Sequence, residues 1–168
     1  MILLFSADEN WNIGYEGDVL LKISEDLKRF RKLTIENIII MGRKTFESLP
    51  ESKALDSRIN IVVTRKEDYN PPNTVVVNSI EELFKKLEEL NPDNKMENYV
   101  IGGGNLADQL LNSCHKAYIT KIFKNFERAD TSLHNLDKDH EWEPLITSGL
   151  HYQDDVAYQY VDYTRIKP

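Results

Sequence analysis

The carboxyl group best placed for chemistry is that of Asp26, in the helix-like segment ISEDLKRFRKL (23–33). In an α-helix each residue is rotated by 100° from the one before, which gives this segment an apolar stripe. Asp26 lies beside Phe30 on the flank of that stripe. A carboxyl group among apolar neighbours has a raised pKa, which suits proton chemistry or a charged ligand. An exposed first-turn acid, favoured by the helix dipole, explains the position equally well.

Three turns carry groups that bind phosphate. Cations, a hydroxyl group and backbone N–H groups at the start of a helix can all donate to phosphate oxygens. Glycine lets the backbone take unusual dihedral angles or approach a ligand closely. Solvated loops explain any one of these turns, but all three together favour a ligand site. The turns are residues 42–45 (GRKT), 64–65 (TR) and 102–104 (GGG).

The glycine run also fits a loose dinucleotide-binding pattern, G-x-G-x-x-A, through Gly102, Gly104 and Ala107. It lies late in the chain, and no acidic residue ends the following strand to bind a ribose. The pattern alone therefore indicates no more than a tight turn.

Short β-branched runs alternate with amphipathic runs, which predicts one α/β domain with a mixed, largely parallel sheet. In such a sheet the carboxyl ends of neighbouring strands can bring the three turns together. Ser79 and Glu82 form a capping box at the start of the third helix. Alternation in residues 152–166 predicts antiparallel strands at an edge. The expected strands are 2–5, 38–41, 59–63, 74–77, 99–101 and 117–123, and the expected helices are 23–33, 43–49, 80–90 and 105–111.

Composition limits the class of protein. The chain has 168 residues and a net charge of -7, which argues against general nucleic-acid binding. The segment from Lys22 to Lys66 contains eleven Lys and Arg but only six Asp and Glu, which favours the binding of small anions there. An uneven surface charge without any ligand would give the same count. The apolar runs are too short for a membrane span, and the start lacks the basic region of a secretory signal. A single cysteine, Cys114, excludes an internal disulfide and fits the cytoplasm. There is no zinc-binding pattern.

Seven segments, in this order and spacing, resemble bacterial dihydrofolate reductase. They are DENWNIG (8–14), EDLKRFRKLT (25–34), IIIMGRKTFESLP (38–50), RINIVVTR (58–65), YVIGGG (99–104), AYITKI (117–122) and ADT (129–131). The resemblance implies one domain over residues 1–168, with an eight-stranded mixed sheet. It further implies reduction of 7,8-dihydrofolate to 5,6,7,8-tetrahydrofolate for one-carbon metabolism. Hydride would pass from NADPH to carbon 6 of the pterin, and nitrogen 5 would take a proton through water.

The resemblance also implies the roles of individual residues. Asp26 is expected to hydrogen-bond the pterin ring, Thr120 to support Asp26, and Arg58 to pair with the glutamate carboxylate of the substrate. The first two glycines of the run are expected to share a cis peptide. The other expected substrate contacts are Leu4, Phe5, Leu27, Phe30 and Ile101. The expected NADPH contacts are Ser6, Ile13, Gly14, Gly17, Val19, Gly42, Arg43, Lys44, Thr45, Thr64, Arg65, Asn78, Ile101, Gly102, Gly103, Gly104, Asn105 and Leu106.

The segment ENWNIGYEGD (9–18) is a candidate lid with Gly14 and Gly17 as hinges. The chain departs from the common family pattern at several positions. Leu21 stands where a tryptophan usually holds a water, Val19 where a lid methionine is frequent, and Ala107 where a tyrosine often packs near the nicotinamide. The segment ADTSLHN also lacks the usual aromatic-proline continuation.

Two alternatives remain at this point. The same fold could reduce the pyrimidine of riboflavin biosynthesis, but that substrate has no glutamate for Arg58. The chain could also bind a nucleotide without catalysis. The expected partners are dihydrofolate and antifolate inhibitors of a cytoplasmic monomer, without metal, nucleic acid or membrane.

Overall fold

The computed structural model describes residues 1–166; residues 167 and 168, which the sequence assigns to the same domain, lie outside this range. The strands are β1 (Ile2–Ala7), β2 (Asn12–Tyr15), β3 (Asp18–Val19), β4 (Ile38–Gly42), β5 (Ile59–Val63), β6 (Thr74–Val77), β7 (Asn98–Gly102), β8 (Lys116–Ile122), β9 (Thr131–Ser132), β10 (Trp142–Thr147), β11 (His151–Gln153) and β12 (Val156–Arg165). The helices are α1 (Ser24–Thr34), α2 (Arg43–Glu47), α3 (Ile80–Leu90) and α4 (Gly104–Leu110). Short 3-10 turns occupy Pro50–Ser52, Leu111–Ser113 and Leu136–Lys138.

The main sheet runs β10-β12-β8-β1-β7-β4-β5-β6, and β11 adds to β12. Strands β6, β5, β4, β7, β1 and β8 are parallel, whereas β12 is antiparallel to β8. This confirms the α/β class and the mixed sheet of eight strands in one order, to which β11 adds a ninth strand. The C-terminal antiparallel edge is confirmed as well: β12 pairs with β8, and β10 and β11 lie outside β12.

The central strands are buried on both faces because helices cover both sides of the sheet. On one face, Ile38 and Ile40 pack with Leu83 of α3 and Leu110 of α4. On the other face, Ile39 packs in a cluster that α1 and α2 cover. Continuous apolar runs such as IIIM are therefore required, as in other parallel sheets. The helices among residues 1–166 are all too short or too polar to span a lipid bilayer.

Helix α3 begins at the predicted cap. The Ser79 hydroxyl accepts a hydrogen bond of 3.0 Å from the Glu82 N–H. The Glu82 carboxylate reaches one residue further back than in the usual box and accepts from the Asn78 N–H at 2.7 Å. The cap therefore also fixes the turn that follows β6.

A second, small sheet of order β3-β2-β9 holds the predicted lid segment. Glu16 and Gly17 form the two-residue turn between β2 and β3, with φ of 51° and 85°. Positive φ at both positions produces the twist that joins two antiparallel strands. The predicted lid segment is thus a hairpin attached to β9.

Candidate active site

The three predicted turns lie side by side where neighbouring strands of the sheet have their carboxyl ends. Strands β7, β4 and β5 are neighbours and run parallel, so their carboxyl ends meet. These ends are at Gly102, Gly42 and Val63. The prediction that the turns follow neighbouring parallel strands is confirmed.

An apolar cavity of about 450 Å³ opens between α1, the carboxyl ends of β1 and β8, and the β2–β3 hairpin. We call it the apolar cavity. Asp26 and Thr120 contribute polar groups to walls that are otherwise mostly apolar. Expected site residues on these walls are Leu4, Phe5, Ser6, Ile13, Gly14, Gly17, Val19, Asp26, Leu27, Phe30, Thr45, Ile101, Gly102, Gly103 and Thr120.

Asp26 is half-buried, and the Thr120 hydroxyl donates a hydrogen bond of 2.6 Å to its Oδ1 atom. Burial raises the pKa of the Asp26 carboxyl group, because the charged form loses hydration. The bond from Thr120 and the charge of Arg29 lower this pKa, and burial is the larger effect. The carboxyl group therefore combines a fixed orientation with an increased affinity for a proton.

Beside the cavity lies a groove of about 960 Å³ along the three turns, here called the basic groove. Its cations are Arg43, Lys44 and Arg65, and Arg43 is paired with Glu47 at 3.0 Å. The Asn78 side chain donates to the Thr64 carbonyl at 2.8 Å and so braces a turn of the groove. Expected residues on the groove walls are Gly17, Gly42, Arg43, Lys44, Thr45, Thr64, Arg65, Asn78, Gly103, Gly104, Asn105 and Leu106.

The glycines at the carboxyl ends of these strands are explained by different features of the structure. A side chain at Gly42 or Gly103 would meet no atom closer than 3.8 Å, so the backbone there is open to close approach from the groove. A side chain at Gly102 would collide with Thr45, and one at Gly104 with the Ser132 carbonyl. The peptide between Gly102 and Gly103 is cis, as the resemblance implied. The backbone thus fits a ligand at Gly103, while packing of the protein itself explains its two neighbours.

Arg58 lies outside both recesses, unlike the other expected contacts. Its guanidinium donates to the Thr34 hydroxyl at 3.2 Å and to the Asp56 carbonyl at 3.0 Å. Partial burial and the nearby Arg31 lower the pKa of Arg58. Two cations therefore lie close together near the end of α1.

The β2–β3 hairpin is hydrogen-bonded to the loop before β9. The Glu16 N–H donates to the Asp130 carboxylate at 2.9 Å, and the Asp130 N–H donates to the Gly14 carbonyl at 3.0 Å. Val19, which is 46% exposed, lies on the cavity wall. Leu21 instead packs in a separate cluster around Ile23.

Sequence reasoning missed Arg29, which helical periodicity placed on the polar face of α1. The side chain lines the apolar cavity and is only 23% exposed. Its partner Asp162 is 133 residues away in the sequence, so no local signal could reveal the contact. Other residues missed on the cavity walls are Asp18, Lys22, Ser48, Leu49, Pro50 and Thr131, and on the groove walls Glu16, Val63, Ser79, Ile80, Gln109, Asp130 and Thr131.

Comparison with known proteins decides which family has this arrangement. The sequence model of dihydrofolate reductase matches residues 1–165. The chain belongs to the dihydrofolate reductase family. The dihydrofolate reductase of Aedes albopictus is 31% identical over 98% of this chain and 96% of its own length. That of Buchnera aphidicola is 38% identical over 73% of this chain and 70% of its own length.

Solved structures agree with the sequence comparison. The structure of Enterococcus faecalis dihydrofolate reductase, complexed with NADP(H) and RAB-propyl, superposes with a TM-score of 0.83 at 31% identity. The match covers 99% of this chain and 96% of that one. The dihydrofolate reductase fold therefore extends over the sheet and over the elements that form both recesses.

Proposed function

We propose that the apolar cavity binds the pterin of dihydrofolate against Asp26 and that the basic groove binds NADPH. As a member of its family, the chain reduces 7,8-dihydrofolate to 5,6,7,8-tetrahydrofolate with NADPH. One observation carries the assignment of the two recesses. A half-buried carboxyl group lies in an apolar cavity that shares Thr45 and Gly103 with a groove lined by cations.

On the substrate side, Asp26 accepts hydrogen bonds from the amide and amino groups of the pterin. Thr120 holds the carboxyl group in place through its bond of 2.6 Å. Arg58 binds the glutamate carboxylate bidentately at the end of α1, where Arg31 adds positive charge. The apolar walls that would enclose the pterin are Leu4, Phe5, Leu27, Phe30 and Ile101.

On the cofactor side, NADPH supplies the hydride when bound. Lys44, Thr45 and Thr64 line the groove where its phosphates would lie, and Arg65, on the same groove wall, would pair with the ribose 2′-phosphate. Ser6 and Ile13, on the cavity wall, would flank the nicotinamide. The open backbone at Gly103 would leave room for the nicotinamide and the pterin where cavity and groove join.

The protein contributes mainly alignment and electrostatics. The shared wall at Thr45 and Gly103 would hold the nicotinamide and the pterin in one relative orientation, which would remove much of the entropic barrier of a bimolecular step. Apolar walls keep bulk water from the reacting atoms. The carboxylate of Asp26 favours the protonated pterin, which is the better hydride acceptor.

The decisive experiment follows NADPH absorbance after three separate additions: dihydrofolate, the pyrimidine substrate of riboflavin biosynthesis, and buffer. Absorbance should fall with dihydrofolate alone. A fall with the pyrimidine alone would support the rival reductase. Binding of NADPH without a fall for either substrate would support a non-catalytic nucleotide-binding protein.

We further propose that the chain acts as a cytoplasmic monomer that binds neither nucleic acid nor membrane, and that antifolates bind the apolar cavity. The net charge of -7 disfavours polyanions. Cys114 is a buried free thiol, which suits a reducing compartment. The size and apolar walls of the cavity suit a planar heterocycle held by one carboxylate.

A further inference from the structure

Arg29 is a cation built into the wall of the apolar cavity. It follows Asp26 by three positions on α1, so the two side chains are neighbours on the helix surface. Its guanidinium carbon lies 4.4 Å from the ring centroid of Tyr160 and 5.8 Å from that of Tyr118. Nη2 donates to Asp162 at 3.1 Å. The contacts with β8 and β12 fix the guanidinium beside the carboxyl group.

The charge of Arg29 is only partly balanced. Its Nη1 atom is buried and has no hydrogen-bond acceptor within residues 1–166. The side chains of Arg29 and Asp162 are 23% and 25% exposed, so water screens their fields weakly. Asp26 therefore experiences a positive potential from its own helix, and Asp162, the ion-pair partner of Arg29, acts as the counter-charge.

We propose that Arg29, anchored by Asp162 and Tyr160, is a positioning residue that sets the proton affinity of Asp26 and thereby the pH range of hydride transfer. This inference rests on the role proposed above for Asp26. The local electrostatics agree with it, since Arg29 lowers the pKa of Asp26 against the larger upward effect of burial.

Arg29 is the charged side chain with the largest influence on the proton affinity of Asp26, because the hydroxyl and phenol groups that β8 and β12 bring near this carboxyl group are uncharged. Thr120 on β8 is a hydroxyl and does not titrate in the relevant range. Burial, and then the charge of Asp26, raise the pKa of Tyr160 to about 12, so its ring is neutral at physiological pH. Tyr118 on β8 and Tyr158 on β12 are also phenols.

The hairpin side contributes two opposite charges that offset each other. Asp18 and Lys22 line the cavity and pair at 3.7 Å. Their side chains are 50% and 70% exposed, so solvent screens them. On α1 itself, Glu25 and Lys28 form an exposed pair at 3.1 Å.

The direction of the effect follows from charge alone. A nearby cation favours the carboxylate, so removal of Arg29 increases the proton affinity of Asp26. With dihydrofolate bound, Asp26 and the pterin titrate as a coupled pair. Removal of Arg29 increases the proton affinity of this pair, whichever of the two groups carries the proton. The pH midpoint of the hydride step should therefore move upward without Arg29, and downward when the counter-charge of Asp162 is removed.

The test compares Arg29→Met, Arg29→Lys and Asp162→Asn with the control Lys28→Met, which removes an exposed cation from the same helix. Two quantities are measured: the carboxyl titration of Asp26 in the ligand-free protein by carbon NMR, and the pH profile of single-turnover hydride transfer. Arg29→Met should move the kinetic midpoint up by about half a pH unit or more. Asp162→Asn should move it down, Arg29→Lys should keep it near the parent value, and Lys28→Met should leave it unchanged.

A slower or less stable Arg29→Met protein with an unmoved carboxyl titration and midpoint would overturn the inference, since Arg29 would then be purely structural. If Arg29→Met does not fold, Asp162→Asn decides, and an unmoved or raised midpoint contradicts the proposal. A carboxyl titration that shifts while the kinetic midpoint stays fixed would confirm the coupling to Asp26. That outcome would overturn the proposed part of Asp26 in the hydride step and, with it, the control of the pH range by Arg29.

Discussion

Asp26 has nearly the same shape as asparagine, so Asp26→Asn removes the charge without changing the volume of the cavity wall. The variant should fold and bind NADPH. Hydride transfer to dihydrofolate at neutral pH should fall by at least about a hundredfold, because the protonated pterin loses its stabilising charge. The deficit should shrink in acid, where solvent protonates the substrate. Stopped-flow measurement of NADPH consumption tests this.

The matched control for that measurement is Glu25→Gln, which neutralises the adjacent exposed acid of the same helix. It should leave the hydride rate unchanged. Near-normal hydride transfer by Asp26→Asn at neutral pH would return Asp26 to the role of an acid at a helix start.

Arg65 is the residue expected to select the cofactor. It lies in the groove next to Thr64, where its guanidinium can pair with a ribose 2′-phosphate. Arg65→Ala should cost about 1.5–3 kcal/mol in NADPH binding and much less in NADH binding. Lys66→Ala, one residue later and outside the groove wall, is the control. Equal losses for both cofactors in Arg65→Ala would show that Arg65 does not contact the 2′-phosphate.

Arg58 is the expected anchor of the substrate's glutamate. Arg58→Lys keeps the charge and loses the planar fork, so dihydrofolate should bind clearly more weakly. A pterin without the glutamate should bind the parent and the variant alike, as measured by calorimetry. Because Arg58 also donates to Thr34, an equal loss with the truncated pterin would show that Arg58 holds the end of α1 instead.

At the scale of elements, the β2–β3 hairpin depends on its turn. Gly17 has φ of 85°, where an alanine costs about 1 kcal/mol. Gly17→Ala should speed amide hydrogen exchange in β2 and β3 and leave exchange in the central strand β4 unchanged. Gly149→Ala is the control, because no atom lies within 4 Å of the added methyl group. Faster exchange in β4 as well would mean that the turn supports the whole fold rather than the lid.

At the scale of the whole molecule, the site affects global stability through linkage. Burial raises the pKa of Asp26 in the folded state above the ordinary value of 3.8, so the unfolded state ionises first as pH rises. The free energy of unfolding therefore decreases as pH rises from 3.8 to the folded pKa of Asp26. Asp26→Asn should unfold at a higher temperature than the parent at neutral pH, and the gain should disappear below about pH 4.

Asp130→Asn tests the opposite sign. The hydrogen bond from the Glu16 N–H lowers the pKa of the Asp130 carboxyl group, so its contribution to stability is present at neutral pH and lost in acid. This variant should unfold at a lower temperature at neutral pH, with the difference vanishing as pH falls. Thermal scans of both variants from pH 3 to 8 give the comparison. Parallel shifts of the same sign would contradict the assignment.

The sequence by itself determined the central strands, the turns that follow them and the family. Runs such as IIIM and INIVV are short stretches of mostly β-branched residues, a local pattern that predicts strands of a parallel sheet. The turns after these strands follow from the same runs, and so does their meeting at one edge. The family also follows from sequence, because its segments keep their order and spacing.

Only the tertiary structure decided the short strands and the surroundings of Asp26. Strands β3 and β9 have two residues each, too few for any period, and β10 has only Trp142 buried. Arg29 faces solvent on a helical wheel, yet β12 covers it with Tyr160 and Asp162. Burial and charge at the site come from segments more than 90 residues apart, since Thr120 reaches Asp26 only through the sheet. Local patterns record which residues can pack, whereas the pKa of a carboxyl group depends on which distant charges the completed fold brings beside it.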